Sequence, residues 1–184
     1  ARAVLYHADT AADQVPPPAI RPYPQHYVSD WTTSDGTHTT IRPIRPEDEP
    51  MIRTFHEGLS DQSVLLRYFR PIQLNERVAH ERLVRVCFGD YERELALVVD
   101  RRDPATGNHE ILAVGRLSRV RWCNEAEFAI VVADDWQGKG LARRLMGILI
   151  DTARGTGLRY MHGDFLAENT RMLAFVASLG FVLS

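Results

Sequence analysis

The 184-residue sequence is poor in the features that mark several large functional classes. Its two cysteines, Cys87 and Cys123, are too few for a disulfide framework or a thiolate metal knuckle, which points to a reducing, cytoplasmic setting. Seven histidines form no HxH or HxxxH pair, so a histidine-built zinc site lacks support and no metal is expected. No apolar run approaches the roughly 18 residues needed to span a bilayer, and the start lacks the charged-then-apolar order of a signal peptide. A large charge of one sign is missing too: the formal net charge of −2 argues against coating nucleic acid or an anionic membrane. There is no internal repeat and no low-complexity block. Proline is scarce beyond residue 50, since eight of the ten prolines lie in the first 50 residues. Residues 1–38 therefore read as a Pro-rich extension, with Ala11 to Asp30 an extended connector, and residues 39–184 as one domain. Beginning at Ala1 and ending in Phe181-Val182-Leu183-Ser184, the sequence looks like an excised piece whose last strand is cut short.

What is present is regular. Thr39 to Arg45 alternates around Ile41 and Ile44 as a strand, and Pro46-Glu47-Asp48-Glu49 gives an acidic first turn to a helix carrying Met51, Ile52, Phe55 and Leu59. Further helices are expected over Val64 to Phe69 and Asn75 to Val86. Glu94 to Asp100 and Ile111 to Val120 read as the arms of a hairpin around Asp103-Pro104-Ala105-Thr106-Gly107-Asn108, and Glu125 to Val132 as the next strand. Leu141 to Arg154 is the clearest helix, with Ala142, Leu145, Met146, Leu149 and Ala153 on one stripe and Gly155 and Gly157 to end it. Leu158 to Leu166 is strand-like, and Thr170 to Leu179 is a short helix closed by Gly180. Three consecutive strands without crossover helices fit a mixed α/β fold, its central sheet mostly antiparallel with helices on both faces, better than a Rossmann order.

The chemistry sits where the Glu125–Val132 strand runs through Gln137-Gly138-Lys139-Gly140-Leu141-Ala142-Arg143 into the clearest helix. Unpaired amides at such a helix start make an anion site; two glycines allow close approach, and Lys139 and Arg143 add charge. A Walker A loop does not fit, because Lys139 is followed by Gly140 rather than Ser or Thr, and a dinucleotide fingerprint fails because Arg143 stands at its third small position. Gln137, Gly140 and Ala142 do satisfy Gln/Arg-x-x-Gly-x-Gly/Ala, and Glu168-Asn169-Thr170-Arg171-Met172 is followed by Leu179-Gly180-Phe181.

With these two elements the sequence, from about Ile41 to its end, resembles the GNAT superfamily of acetyl-CoA-dependent N-acetyltransferases. The resemblance implies that backbone groups of Ile130, Val131 and Val132 pair with the pantetheine arm. It also implies that Gln137 and the amides from Gly138 to Arg143 (Gly138, Lys139, Gly140, Leu141, Ala142, Arg143) hold the pyrophosphate. Asn169 would contact the CoA arm, and it could equally be a helix N-cap. Ile41-Arg42-Pro43-Ile44-Arg45-Pro46-Glu47-Asp48, Ser63-Val64-Leu65-Leu66-Arg67-Tyr68-Phe69 and Asp90-Tyr91-Glu92-Arg93-Glu94-Leu95-Ala96-Leu97-Val98 are similar to bacterial protein lysine acetyltransferases of the Pat type. In these a GNAT domain joins a region similar to NDP-forming acyl-CoA synthetases, whose tail Ala19-Ile20-Arg21-Pro22-Tyr23-Pro24 resembles. The implied partner is a protein substrate such as an AMP-forming acyl-CoA synthetase, silenced when its lysine loses charge.

An amine acceptor with a pKa near ~10.4 must lose a proton before attacking a thioester, so a base is required. Glu127 occupies the position of the superfamily's catalytic glutamate, and screening by Ala126 and Phe128 could tune it; Glu125, on the same strand face, is the reserve. The tyrosine that many members carry seven residues after the asparagine, to protonate the departing thiolate, is replaced by Val176, which leaves Tyr160 and Tyr68 as substitutes or packing aromatics. Cys87 and Cys123 read as small buried residues. Two other readings stay open: a small-molecule amine acetyltransferase with a closed pocket, and a non-catalytic acyl-CoA sensor.

Overall fold

The computed structural model describes residues 7, 9–11, 22–91, 93–120 and 123–183. Six strands form one sheet in sequence order: β1 (Ser29–Thr32), β2 (His38–Pro43), β3 (Glu94–Arg102), β4 (His109–Arg119), β5 (Glu125–Val132) and β6 (Tyr160–His162). Neighbours are antiparallel except β5 and β6, which are parallel and paired only over Glu125–Tyr160, Ala126–Met161 and Glu127–His162. Helices α1 (Glu49–Glu57), α2 (Asp61–Tyr68), α3 (Leu74–Arg77) and α4 (His80–Cys87) precede β3, while α5 (Leu141–Gly155) and α6 (Thr170–Ala177) flank β6 in sequence.

The period-2 geometry of β3 gives both faces a core. Leu95, Leu97 and Val99 join α5 in one cluster, whereas Ala96 and Val98 join Ile52, Phe55 and Leu83 from α1 and α4 in the other. Burial on both faces is why β3 reads as a nearly unbroken apolar run. On α5 the stripe Leu141, Leu145, Met146, Leu149 and Ala153 is buried. Full burial stabilises each large side chain by about 1.5–3 kcal/mol. Gly115 on β4 lets the helix approach, because a Cβ there would stand 3.3 Å from the Leu145 Cβ. At the far end of the sheet, Arg42 donates to Asp48 (2.7 and 2.8 Å) and Asp100 (3.0 Å), tying β2, β3 and the turn before α1 together in a buried ionic cluster.

Several sequence expectations are corrected. The sheet begins at Ser29, inside the stretch read as connector; Ala12 to Arg21 and the Glu92 and Ser184 positions lie outside the described residues. The helix expected over Asn75–Val86 is broken at Ala79 (ψ 131°). An unbroken helix would set Val78 and Leu83 about 140° apart, yet both are buried, and the break turns both inward. The strand expected over Leu158–Leu166 is paired only from Tyr160 to His162, and Phe181–Leu183 form no strand. Cys87 is buried, with its thiol pushed up to about 12 by burial and the nearby Asp48 and Glu49, whereas Cys123 is exposed.

Candidate active site

The chain path creates the site. After Glu127, β6 leaves β5, so Phe128 to Val132 keep β4 on one edge and lose their partner strand on the other. Five residues of free edge span about 16 Å. A cleft of about 710 Å³ opens along this edge, walled by α2 on one side and by α6 and the loop before it on the other. Glu127 and Ile130, Val131 and Val132 all line it.

The turn after β5 closes the far end of that edge. Asp134, in the short 3-10 turn Asp134–Trp136, accepts from the Ser60 amide and hydroxyl (2.9 Å each) and the Ser63 hydroxyl (2.7 Å), which pins the start of α2 to the turn. Burial works to raise the Asp134 carboxyl, but these donors outweigh it and hold the group below its ordinary value. Gly138 (φ 80°) and Gly140 (φ 92°) are left-handed, a conformation costly for any side chain. They aim the chain into α5 so that, among the described residues, the amides from 138 to 143 donate to no protein acceptor. Six consecutive free amides at the start of a 15-residue helix form a cradle suited to a diphosphate. Gly138, Gly140, Leu141, Ala142 and Arg143 line the cleft.

Lys139 is the exception. Its ammonium pairs with Asp35 at 2.9 Å and lies 4.0 Å from the centre of the Trp136 ring, so its charge is drawn to the β1–β2 turn instead of the cleft. Its amide stays in the cradle. Gln137 contributes through its side chain, which accepts from Arg171 (3.0 Å) and donates to Ser63 (3.4 Å) and the Val132 carbonyl (3.5 Å), bridging α6, α2 and β5. Arg143 donates to Ser178 (3.0 Å). Asn169 caps α6, accepting from the Met172 amide at 3.2 Å, and it also lines the cleft.

Of the two glutamates only Glu127 reaches the cleft; Glu125, two residues earlier and still paired with Tyr160 of β6, does not. The expected apolar screening of Glu127 is absent. Ala126 and Phe128 point to the opposite face, as neighbours on a strand must, and Glu127 is exposed. Its charge acts, without an ion pair, on Arg67 of α2. Arg67 and Arg171 both line the cleft and were not picked out as site residues from the sequence. A cation at the second position after the Asn169 cap is a readable cue for Arg171, but nothing local marks Arg67. Val176 is fully packed in the core, and neither Tyr160 nor Tyr68 lines the cleft.

The sequence model of the Acetyltransferase (GNAT) domain family matches residues 38–182. Acetyltransferase PA5475 of Pseudomonas aeruginosa is 35% identical over 157 residues, covering 83% of this chain and 80% of that protein. Acetyltransferase Pat of Mycolicibacterium smegmatis is 30% identical over 144 residues, covering 77% of this chain but only 40% of Pat. The crystal structure of the GNAT domain of S. lividans PAT superposes with a TM-score of 0.77 at 27% identity, over 89% of this chain and 92% of that one. With an amide cradle, a split strand pair and a matching family model over most of its length, the chain belongs to the GNAT acetyltransferases, enzymes that use acetyl-CoA as acyl donor.

Proposed function

We propose that the protein transfers the acetyl group of acetyl-CoA to the ε-amino group of a lysine on another protein, with Glu127 as general base. One observation carries this reading: Glu127 and the amide cradle stand at the two ends of the same free strand edge, in one cleft. In this reading the cradle takes the diphosphate, and the edge groups of Ile130, Val131 and Val132 pair with the pantetheine arm as a further strand. Glu127 accepts the ammonium proton, the nitrogen lone pair attacks the thioester carbonyl carbon, the C–N bond forms, and the C–S bond breaks with its electrons on sulfur. Among the described residues no tyrosine, histidine or cysteine lines the cleft, so the second proton, shed by the attacking nitrogen as it becomes the amide, passes through water to the thiolate.

An exposed Glu127 on an open groove suits a lysine presented by a macromolecule better than a small amine, which needs an enclosing pocket. The likeness to Pat and to the PAT domain supports a protein acceptor, and an AMP-forming acyl-CoA synthetase is the target class we infer. The chain works in the cytoplasm in this reading; no helix among the described residues is long and apolar enough to cross a membrane. Incubation with acetyl-CoA and such a synthetase should yield acetyl-lysine by mass spectrometry. Glu127→Gln should lower turnover by about 10²–10⁴-fold while coenzyme A still binds. Unchanged turnover in that variant would remove Glu127 from the mechanism. A non-catalytic acyl-CoA sensor is the second reading, favoured by Val176 in the tyrosine position; it predicts coenzyme A uptake with no modified amine.

A further inference from the structure

Behind the acceptor side of the cleft lies a second, smaller cavity of about 60 Å³. It sits between the sheet and the helices α1, α2 and α4, and it shares Arg67, Ala129 and Val131 with the main cleft as walls. Strand geometry explains the neighbourhood. Arg116 on β4 stands opposite Ala129 on β5, and Ala129 follows Glu127 on the same face by one pleat.

The walls are unusually basic for their burial. Arg67, Arg82 and Arg116 face the cavity together with His56, which is 4% exposed. Among the described residues only Arg116 of these three forms an ion pair, with Glu94 at 2.8 Å; it also donates to the Val86 carbonyl. Arg67 and Arg82 lie on the ring of Tyr68, 5.0 and 4.9 Å from its centre, with no acceptor of their own among the described residues. Both are half-buried, and stacking on one aromatic offsets only part of the cost of holding two like charges side by side away from water. The His56 Nδ1, the Arg82 Nε and the Arg116 Nε are buried without a partner. Burial first, then Arg82, Arg77, Arg116 and Arg67, lower the His56 pKa to about 4, so the imidazole is neutral and the cavity's excess charge is that of its arginines. Glu127, on the cleft side of Arg67, is the other acid that acts on this group.

We propose that this cavity is an anion site, taking one compact oxyanion (a carboxylate or an ion of the size of sulfate) between Arg67, Arg82, Arg116 and His56. Three of the lining residues carry a buried nitrogen without a partner beside a space large enough for several water-sized groups, and a bound oxyanion would supply acceptors there and neutralise the surplus charge. Two sources offer that chemistry: a free ion, or an acidic group carried by the acceptor close to its amine. The acceptor arm rests on the acetyl-transfer reading above; the ion arm does not.

The test titrates sodium sulfate into the whole protein at fixed ionic strength, with coenzyme A saturating so that the amide cradle is filled, and follows the unfolding midpoint. Wild type should show a saturable rise, and Arg82→Gln should weaken the apparent affinity by about tenfold or more. Arg82→Lys, which keeps the charge and loses the fork, should fall between them and covers the case in which the glutamine variant does not fold. In parallel, kcat/KM is compared for Nα-acetyl-lysine and its carboxamide. A preference for the carboxylate that sulfate competes away, and that Arg82→Gln erases, identifies the acceptor as the source. No preference, with the sulfate effect intact, identifies a free ion. A sulfate effect that is non-saturable, or identical in wild type and both Arg82 variants, overturns the proposal.

Discussion

Replacing Arg42 with methionine would leave two acids stranded in the protein interior. Arg42, Asp48 and Asp100 are 6%, 2% and 7% exposed, and the guanidinium makes three bonds of 2.7–3.0 Å to the two carboxylates. Burial works to lower the Arg42 pKa; Asp48 and then Asp100 outweigh it and hold the group above its usual value. Without it, Asp48 keeps the Arg45 amide (2.8 Å) and Asp100 keeps His109 Nδ1 (2.8 Å), one partner each. Removing one member of a buried ionic cluster costs about 3–5 kcal/mol, against a total of about 5–15 kcal/mol for a domain of ordinary stability. Each kcal/mol lowers the midpoint of a chain this long by about 2–4 °C, so Arg42→Met should melt about 6–20 °C below wild type. Urea unfolding should show a lower midpoint with an unchanged slope, since the surface exposed on unfolding is the same. The triple variant Arg42→Met/Asp48→Asn/Asp100→Asn should recover most of the loss, because neutral amides need no counter-charge. A loss below about 1 kcal/mol for the single variant, the range of an exposed ion pair, would refute this reasoning.

Other expectations follow from the same geometry. Gly140→Ala forces a side chain into φ 92°, with its Cβ 3.4 Å from the Trp31 ring, and should cost about 1–2 kcal/mol and weaken coenzyme A binding in calorimetry. Gly163→Ala places a Cβ 3.0 Å from the Phe128 ring and carbonyl, and should destabilise by about 1–3 kcal/mol in urea melts. Lys139→Met should leave coenzyme A affinity nearly unchanged, while Arg171→Met should lower it, since only the latter faces the cleft. The folded-state pKa of His56, about 4, lies below its unfolded value of about 6.5. Stability is therefore complete above about pH 6.5 and is lost as pH falls towards 4, where the unfolded chain binds the extra proton; His56→Gln should flatten that slope by up to about 1.4 kcal/mol per pH unit.

The sheet and its site were legible where a single periodicity governed the residues. β3, β4, β5 and α5 follow the apolar spacing closely, and the motif around Gln137, Gly140 and Ala142 marks the glycine turn from sequence alone. β1 was hidden because prolines dominate its surroundings, while its own Ser29-Asp30-Trp31-Thr32 carries only a half-buried alternation. The break at Ala79 has no proline or glycine to announce it; it follows from the need to bury Val78 and Leu83 together. Among the site residues, the alternation along β5 placed Glu127, but how far β6 runs decides that Glu125 stays out of the cleft, and that is a tertiary matter. Lys139 was misread because its partner, Asp35, is about a hundred positions away in sequence, and Arg67 was overlooked for the same kind of reason.

The β1–β2 hairpin leans on the back of the glycine turn: the Trp31 ring covers Gly140, Asp35 holds Lys139, and the Ser34 amide donates to the Lys139 carbonyl at 3.3 Å. A fragment trimmed to begin at Thr39, where the proline count invites a cut, would strip that backing while sparing every group that faces the ligand. Such a truncation should yield a protein that folds around its two cores yet grips its acyl donor loosely, a defect easily mistaken for a damaged catalytic residue.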